Sequence, residues 1–206
     1  MKMNLPNKLT IMRFILAFLL VVLMVWPYEA TGVSVLEIPT TGFNIIDLIC
    51  CLLFIVAAVT DAFDGHIARS RNLITDFGKF MDPLADKFLV NSSLIVLAVF
   101  KPDMLPAIVV VLMIGRDLAV DGLRFLAASK GEVIAANKFG KAKTIAQMIA
   151  IPFIFLNGFP FNYFLGEYTY IVPLVFICIA LALSLISGWI YLHRGRKYIL
   201  DEKKAK

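Results

Sequence analysis

A chain of 206 residues, 60% of them hydrophobic and with a mean hydropathy of +0.85, lies far outside soluble domains, which run at about 45–50% apolar. Only 17% of the residues are charged, and Lys and Arg exceed Asp and Glu by 20 to 15. In so apolar a chain that basic excess argues against a nucleic-acid partner and for a lipid bilayer with anionic headgroups.

Read in chain order, stretches of about 17–25 apolar residues predict six membrane-spanning helices. The first, Thr10–Pro27, opens behind Lys2, Lys8 and Arg13. It is too long for a signal-peptide core and has no small-residue cleavage site behind it, so it is expected to be retained. The connection Tyr28–Phe43 has no Lys or Arg and leads to the second span, Asn44–Ile67. Arg69, Arg71 and Lys79 precede the third, Pro83–Phe100, and Lys101 stands alone before the fourth, Met104–Ala128. Arg124, Lys130, Lys138, Lys141 and Lys143 gather around the connection to the fifth span, Phe139–Leu156. The connection Asn157–Thr169 is again free of Lys and Arg, and the sixth span, Tyr168–Leu192, ends in Arg194, Arg196 and Lys197.

The connections rich in Lys and Arg alternate with ones that have none or only Lys101, so the positive-inside rule places both termini in the cytoplasm, as an even number of spans requires. The expectation is an all-α integral membrane protein, multi-pass in the cell membrane, with six transmembrane helices and residues 1–206 forming one domain. Cys50, Cys51 and Cys178 lie in apolar stretches without metal-ligand spacing and read as small core hydrophobes.

Four aspartates break the apolar pattern: Asp61, Asp64, Asp82 and Asp86. Asp61 follows Asn44 by 17 residues, about 25 Å along a hydrocarbon core of about 30 Å. Asp61 and Asp64 therefore approach the cytoplasmic edge, where Asp82 and Asp86 begin the third span. The i,i+3 and i,i+4 spacings put each pair on one helical face. Gly65, Ala68 and Gly78 extend those faces with small residues that admit a close neighbour. Four clustered carboxylates repel one another unless cations neutralise them. An all-oxygen donor set suits Mg2+ or Mn2+, and paired ions are a known solution for displacement at phosphorus. Two blander readings stand beside this one. Asp82 before Pro83 could cap the third helix, and intramembrane acids also mark ion paths. Asp47, near the outer side, reads as structural.

The stretch Asp61-x2-Asp64-Gly65-x2-Ala68-Arg69-x8-Gly78-x3-Asp82-x3-Asp86 resembles, position for position, the motif of the CDP-alcohol phosphatidyltransferase family. The segment "LPNKLTIMR", Leu5–Arg13, is similar to the family's amino-terminal region, and Gly115–Met148 resembles the branch that makes phosphatidylglycerophosphate. Asp117 departs from that branch, which more often has Glu after the arginine; the charge is kept.

The resemblance implies attack by the hydroxyl of sn-glycerol 3-phosphate on the β-phosphorus of CDP-diacylglycerol, with CMP released. It implies two divalent ions held by Asp61, Asp64, Asp82 and Asp86, with Asp86 acting mainly as the general base. It makes Arg69 a diphosphate contact and Asn7 and Thr10 nucleotide contacts, with Gly65, Ala68 and Gly78 lining the CDP-diacylglycerol site. It also suggests a homodimer. For the acceptor's phosphate the cationic candidates are Arg116, Lys141, Lys143 and Arg196. Each has an alternative: Arg69 as a topological anchor, Asn7 as a helix cap, Arg116 in an ion pair with Asp117 or Asp121, and the others snorkelling to headgroups. Rival functions are the same transfer to serine, inositol phosphate or phosphatidylglycerol, an intramembrane prenyl transfer, and cation transport.

Overall fold

Among the described residues, six long helices occupy the six predicted apolar stretches. The computed structural model describes residues 5–39, 41–70, 76–132, 134–135 and 137–200, with residues 5–6, 61–70, 76–77, 79–80 and 197–200 described as backbone only. In order they are α1 (Leu5–Val25), α2 (Ile45–Ser70), α3 (Asp76–Phe100), α4 (Ala107–Ser129) and α5 (Lys138–Phe155). A short α6 (Asn162–Leu165) and a 3-10 turn (Gly166–Tyr170) lead into α7 (Ile171–Leu200). Among the described residues there is no strand, only an isolated bridge between Glu37 and Asn44.

Among the described residues, three segments are long and apolar enough to cross a membrane, Asn7–Val25, Met81–Phe100 and Asn162–Arg196, consistent with an integral membrane protein. The other long helices fall short for visible reasons. The described apolar part of α2 is Ile45–Thr60. Helix α4 is interrupted by Arg116, Asp117, Asp121 and Arg124, and α5 opens with Lys138, Lys141 and Lys143.

Two helix starts differ from the sequence reading, and both bear on function. Helix α3 begins at Asp76, so Pro83 lies inside it and Asp82 is an interior residue rather than a cap. The proline forgoes one backbone hydrogen bond but leaves the helix continuous. Helix α1 begins at Leu5, which places Asn7 in its first turn rather than at its cap.

Helix α1 packs against both α2 and α3, and α7 packs against α4 and α5. The two groups join where α5 meets α2 and α3, and where α4 meets α3. The shared core takes Leu20 from α1, Phe54 from α2, Leu94 from α3, Met113 from α4, Ile151 from α5 and Ile177 from α7. Phe18, Leu52, Val111, Phe125 and Trp189 face outward, as apolar side chains do against lipid. Because lipid supplies no hydrophobic drive between helices, close backbone approach matters more here than in water. Two α7 glycines provide it: a Cβ on Gly188 would lie 2.8 Å from Arg116 Cγ, and one on Gly195 would lie 2.8 Å from Leu123 Cδ2.

The end of the bundle predicted to face outward is tied by one buried cation. Lys101 Nζ lies 3.0 Å from Asp47 Oδ2 and donates to the Phe155 carbonyl at 2.6 Å and to Asn157 Oδ1 at 2.7 Å. Asn157 in turn donates to the Gly42 carbonyl. Asp47, structural in the sequence reading, is thus half of an inter-helix tie. Cys50 and Cys51 are buried as expected, whereas Cys178 is exposed on α7.

Candidate active site

On α3, Gly78, Asp82 and Asp86 follow one another at four-residue intervals and share a face. Gly78 is buried, Asp82 exposed and Asp86 partly buried. Thr10 on α1, itself 1% exposed, donates its hydroxyl to Asp82 Oδ1 at 2.5 Å. Asn7, one turn earlier, is also buried. The start of α1 is therefore packed onto the aspartate face of α3, and Thr10 orients one of its carboxylates. Asp61, Asp64, Gly65, Ala68 and Arg69 occupy the last turns of α2. Their side chains lie outside the described residues.

Among the described residues no three Asp, Glu, His or Cys side chains form a metal-ligand group. The group predicted from sequence needs Asp61 and Asp64, whose side chains are not among those described. The donor set itself, carboxylates alone with one oriented by a buried hydroxyl, fits a hard divalent cation.

A cavity of about 240 Å3 opens beside Asp86. Asp86, Lys87 and Asn91 line it from α3, and Arg116, Asp117, Asp121 and Arg124 from α4. Asn137, Lys141 and Lys143 at the start of α5 and Tyr191 on α7 close it. Asp117 accepts from Lys143 Nζ at 2.5 Å and from Arg116 Nη1 at 2.8 Å. Lys87 pairs with Asp121. Arg116 Nη2 also donates to Ser187 Oγ at 2.5 Å, and Arg124 Nη2 donates to the Tyr191 hydroxyl at 2.7 Å. Five cations thus face three carboxylates among the described lining residues. The wall remains positive, and Arg116 Nε and Arg124 Nε are buried donors with no hydrogen-bond partner among the described residues. An excess of positive charge on a cavity wall with buried, unsatisfied guanidinium N–H groups is an environment for an anion.

The structure therefore brings Asp86 together with Arg116, Lys141 and Lys143, and leaves Arg196 exposed on α7, outside the cavity lining. The ion pair foreseen for Arg116 exists with Asp117, and the same arginine still lines the cavity. Lys143, its side chain 7% exposed, is ion-paired and does not snorkel. Lys87, Asn91, Arg124, Asn137 and Tyr191 were not singled out from sequence. Arg124 carried a signal, since it lies two turns beyond Arg116 on the same helix; Tyr191 carried none in an apolar run.

The family profile for CDP-alcohol phosphatidyltransferase matches residues 3–186, covering the aspartate motif, α4 and α5. The chain belongs to the CDP-alcohol phosphatidyltransferase family. Its similarity extends to named bacterial relatives. The CDP-diacylglycerol–glycerol-3-phosphate 3-phosphatidyltransferase of Bacillus subtilis (strain 168) is 40% identical over 192 residues, covering 93% of this chain and 95% of the relative. The protein of that name from Mycoplasma pneumoniae is 36% identical over 208 residues, covering 95% and 89%. The one from Haemophilus influenzae is 33% identical over 203 residues, covering 98% of both. CDP-alcohol phosphatidyltransferases generally depend on divalent metal.

Proposed function

We propose that this chain transfers the phosphatidyl group of CDP-diacylglycerol to sn-glycerol 3-phosphate, giving phosphatidylglycerophosphate and CMP. The observation that carries the reading is the cavity in which Asp86 of the family motif meets Arg116, Arg124, Lys141 and Lys143. A phosphorylated acceptor matches that wall, whereas an uncharged acceptor would leave its cations without a partner. The relatives' shared name agrees with this choice.

In this reading the six long helices span the cell membrane with both termini in the cytoplasm, and the site opens at the cytoplasmic face. The distribution of Lys and Arg supports that orientation. The cavity cations hold the acceptor's phosphate and bring its primary hydroxyl to Asp86. Asp86 takes the proton as the hydroxyl oxygen bonds to the β-phosphorus and the bond to the CMP oxygen breaks. Asn7, Thr10, Arg69 and the small residues Gly65, Ala68 and Gly78 form the CDP-diacylglycerol side of the site. Two divalent ions, Mg2+ or Mn2+, held by Asp61, Asp64 and Asp82 with Asp86 beside them, supply charge neutralisation on the diphosphate. A homodimer is the assembly that the family resemblance suggests.

The test uses purified protein in detergent with CDP-diacylglycerol and glycerol 3-phosphate. CMP release is expected to stop on chelation and to return with Mg2+ or Mn2+. Release that persists through exhaustive chelation would remove the metal assignment.

A further inference from the structure

Tyr191 lies on α7 beyond the stretch that matches the family profile, and its side chain is buried at 3% exposure. Its hydroxyl accepts from Arg124 Nη2 at 2.7 Å and from the backbone N–H of Asn137 at 2.9 Å, and donates to the Ala135 carbonyl at 3.2 Å. Those bonds use the phenol's proton and both lone pairs. The ring face lies 5.0 Å from the Arg124 guanidinium carbon and 5.9 Å from that of Arg116. One α7 side chain therefore holds two α4 arginines and the chain segment just ahead of α5.

The neighbouring turn completes the fixture. Ser187 Oγ accepts from Arg116 Nη2 at 2.5 Å and donates to Asn137 Oδ1 at 2.8 Å, and Asn137 Oδ1 accepts from Gly140 N at 2.6 Å, capping α5. Gly188 leaves the room that the Arg116 side chain occupies. Asp117 and Ser187 hold Arg116; Arg124 would otherwise be a long side chain of like charge on the same wall, free to splay away from it. A guanidinium presents donors in a rigid fork, so its value for an oxyanion depends on its orientation.

We propose that Tyr191 is a positioning residue for the acceptor: its hydroxyl fixes Arg124 in the orientation that receives the phosphate of glycerol 3-phosphate. The phenol does not touch substrate, and its effect reaches the acceptor through Arg124. This rests on the reading of the cavity as the acceptor-phosphate site.

The experiment measures steady-state kinetics of the full-length protein in detergent for Tyr191→Phe, Arg124→Gln and the double variant. Tyr191→Phe keeps the ring and removes only the hydroxyl. The KM for glycerol 3-phosphate is expected to rise about tenfold, the scale of one hydrogen bond to a charged group. The KM for CDP-diacylglycerol and kcat stay unchanged. In the Arg124→Gln background the same change adds nothing, because the residue it acts through is gone. A wild-type KM in Tyr191→Phe, an equal rise for both substrates, or a full rise in the Arg124→Gln background each overturns the proposal. If Tyr191→Phe does not fold, Arg124→Lys keeps the charge but loses the fork, and an unaltered acceptor KM there overturns it as well. If Arg116→Gln and Arg124→Gln both leave the acceptor KM at wild type, the cavity reading itself fails and the role of Tyr191 falls with it.

Discussion

Asp117 on α4 and Lys143 on α5 form a 2.5 Å ion pair whose side chains are 14% and 7% exposed, and Arg116 takes the other carboxylate oxygen at 2.8 Å. One buried acid thus anchors two cations of the cavity wall. It fixes their direction without cancelling their combined charge.

Removing that acid leaves two cations facing each other in a poorly solvated place. Asp117→Asn is expected to destabilise the protein by about 3–5 kcal/mol, the usual cost of stripping one partner from a buried pair. Asp117→Glu keeps the charge and is expected to retain the fold. Thermal unfolding in detergent distinguishes the two variants, and an Asp117→Asn melt matching wild type would show that the pair contributes little.

Thr10→Val removes the hydroxyl that donates to Asp82 at 2.5 Å while preserving shape. The metal concentration giving half-maximal activity should rise about 10–100-fold, as when a ligand loses its orienting partner. Turnover at saturating metal should be largely retained. A metal titration superimposable on wild type would detach Thr10 from metal binding.

Asp86→Asn is expected to lower turnover about 100- to 10,000-fold, the contribution of a positioned general base. Metal-dependent binding of CDP-diacylglycerol should persist. Near-normal turnover with intact metal binding would reassign the base.

At the opposite end, Lys101→Met leaves Asp47 buried without its cation and should cost about 3–5 kcal/mol. Kinetic constants of the remaining folded protein should not change, because the Asp47–Lys101 tie lies far along the bundle from Asp86. Burial holds the Lys101 pKa below its ordinary 10.5, with Asp47 pulling it part of the way back. The native state therefore releases this proton before the unfolded state does, so stability rises as pH climbs through the native value toward 10.5. Melting curves of wild type against Lys101→Met across that range read this contribution, and a pH-independent difference would contradict it.

Much of the framework could be read from particular residues. The apolar stretches located the six long helices among the described residues, and the spacing of Asp82 and Asp86 gave their common face. The start of α3 was misplaced because Pro83 looks like a first-turn residue, whereas the helix absorbs it. Arg124 was absorbed into the count of cytoplasmic charges, and only the packing of α4 on α7 turns it toward the cavity. Tyr191 was invisible for a different reason: an aromatic residue in an apolar helix has no periodic signature until its hydroxyl finds Arg124 and Asn137. Lys101 and Asp47 are separated by a whole helix and most of another, so their pairing depends on how α2 and α3 come together.

The measurement that tests the central claim most directly is CMP release from CDP-diacylglycerol by the purified protein with each acceptor offered separately: glycerol 3-phosphate, serine, inositol phosphate and phosphatidylglycerol. The account predicts metal-dependent release with glycerol 3-phosphate and none with the others. Release driven by serine, with glycerol 3-phosphate inert, would contradict the assignment of the Arg116, Arg124, Lys141 and Lys143 wall to an acceptor phosphate.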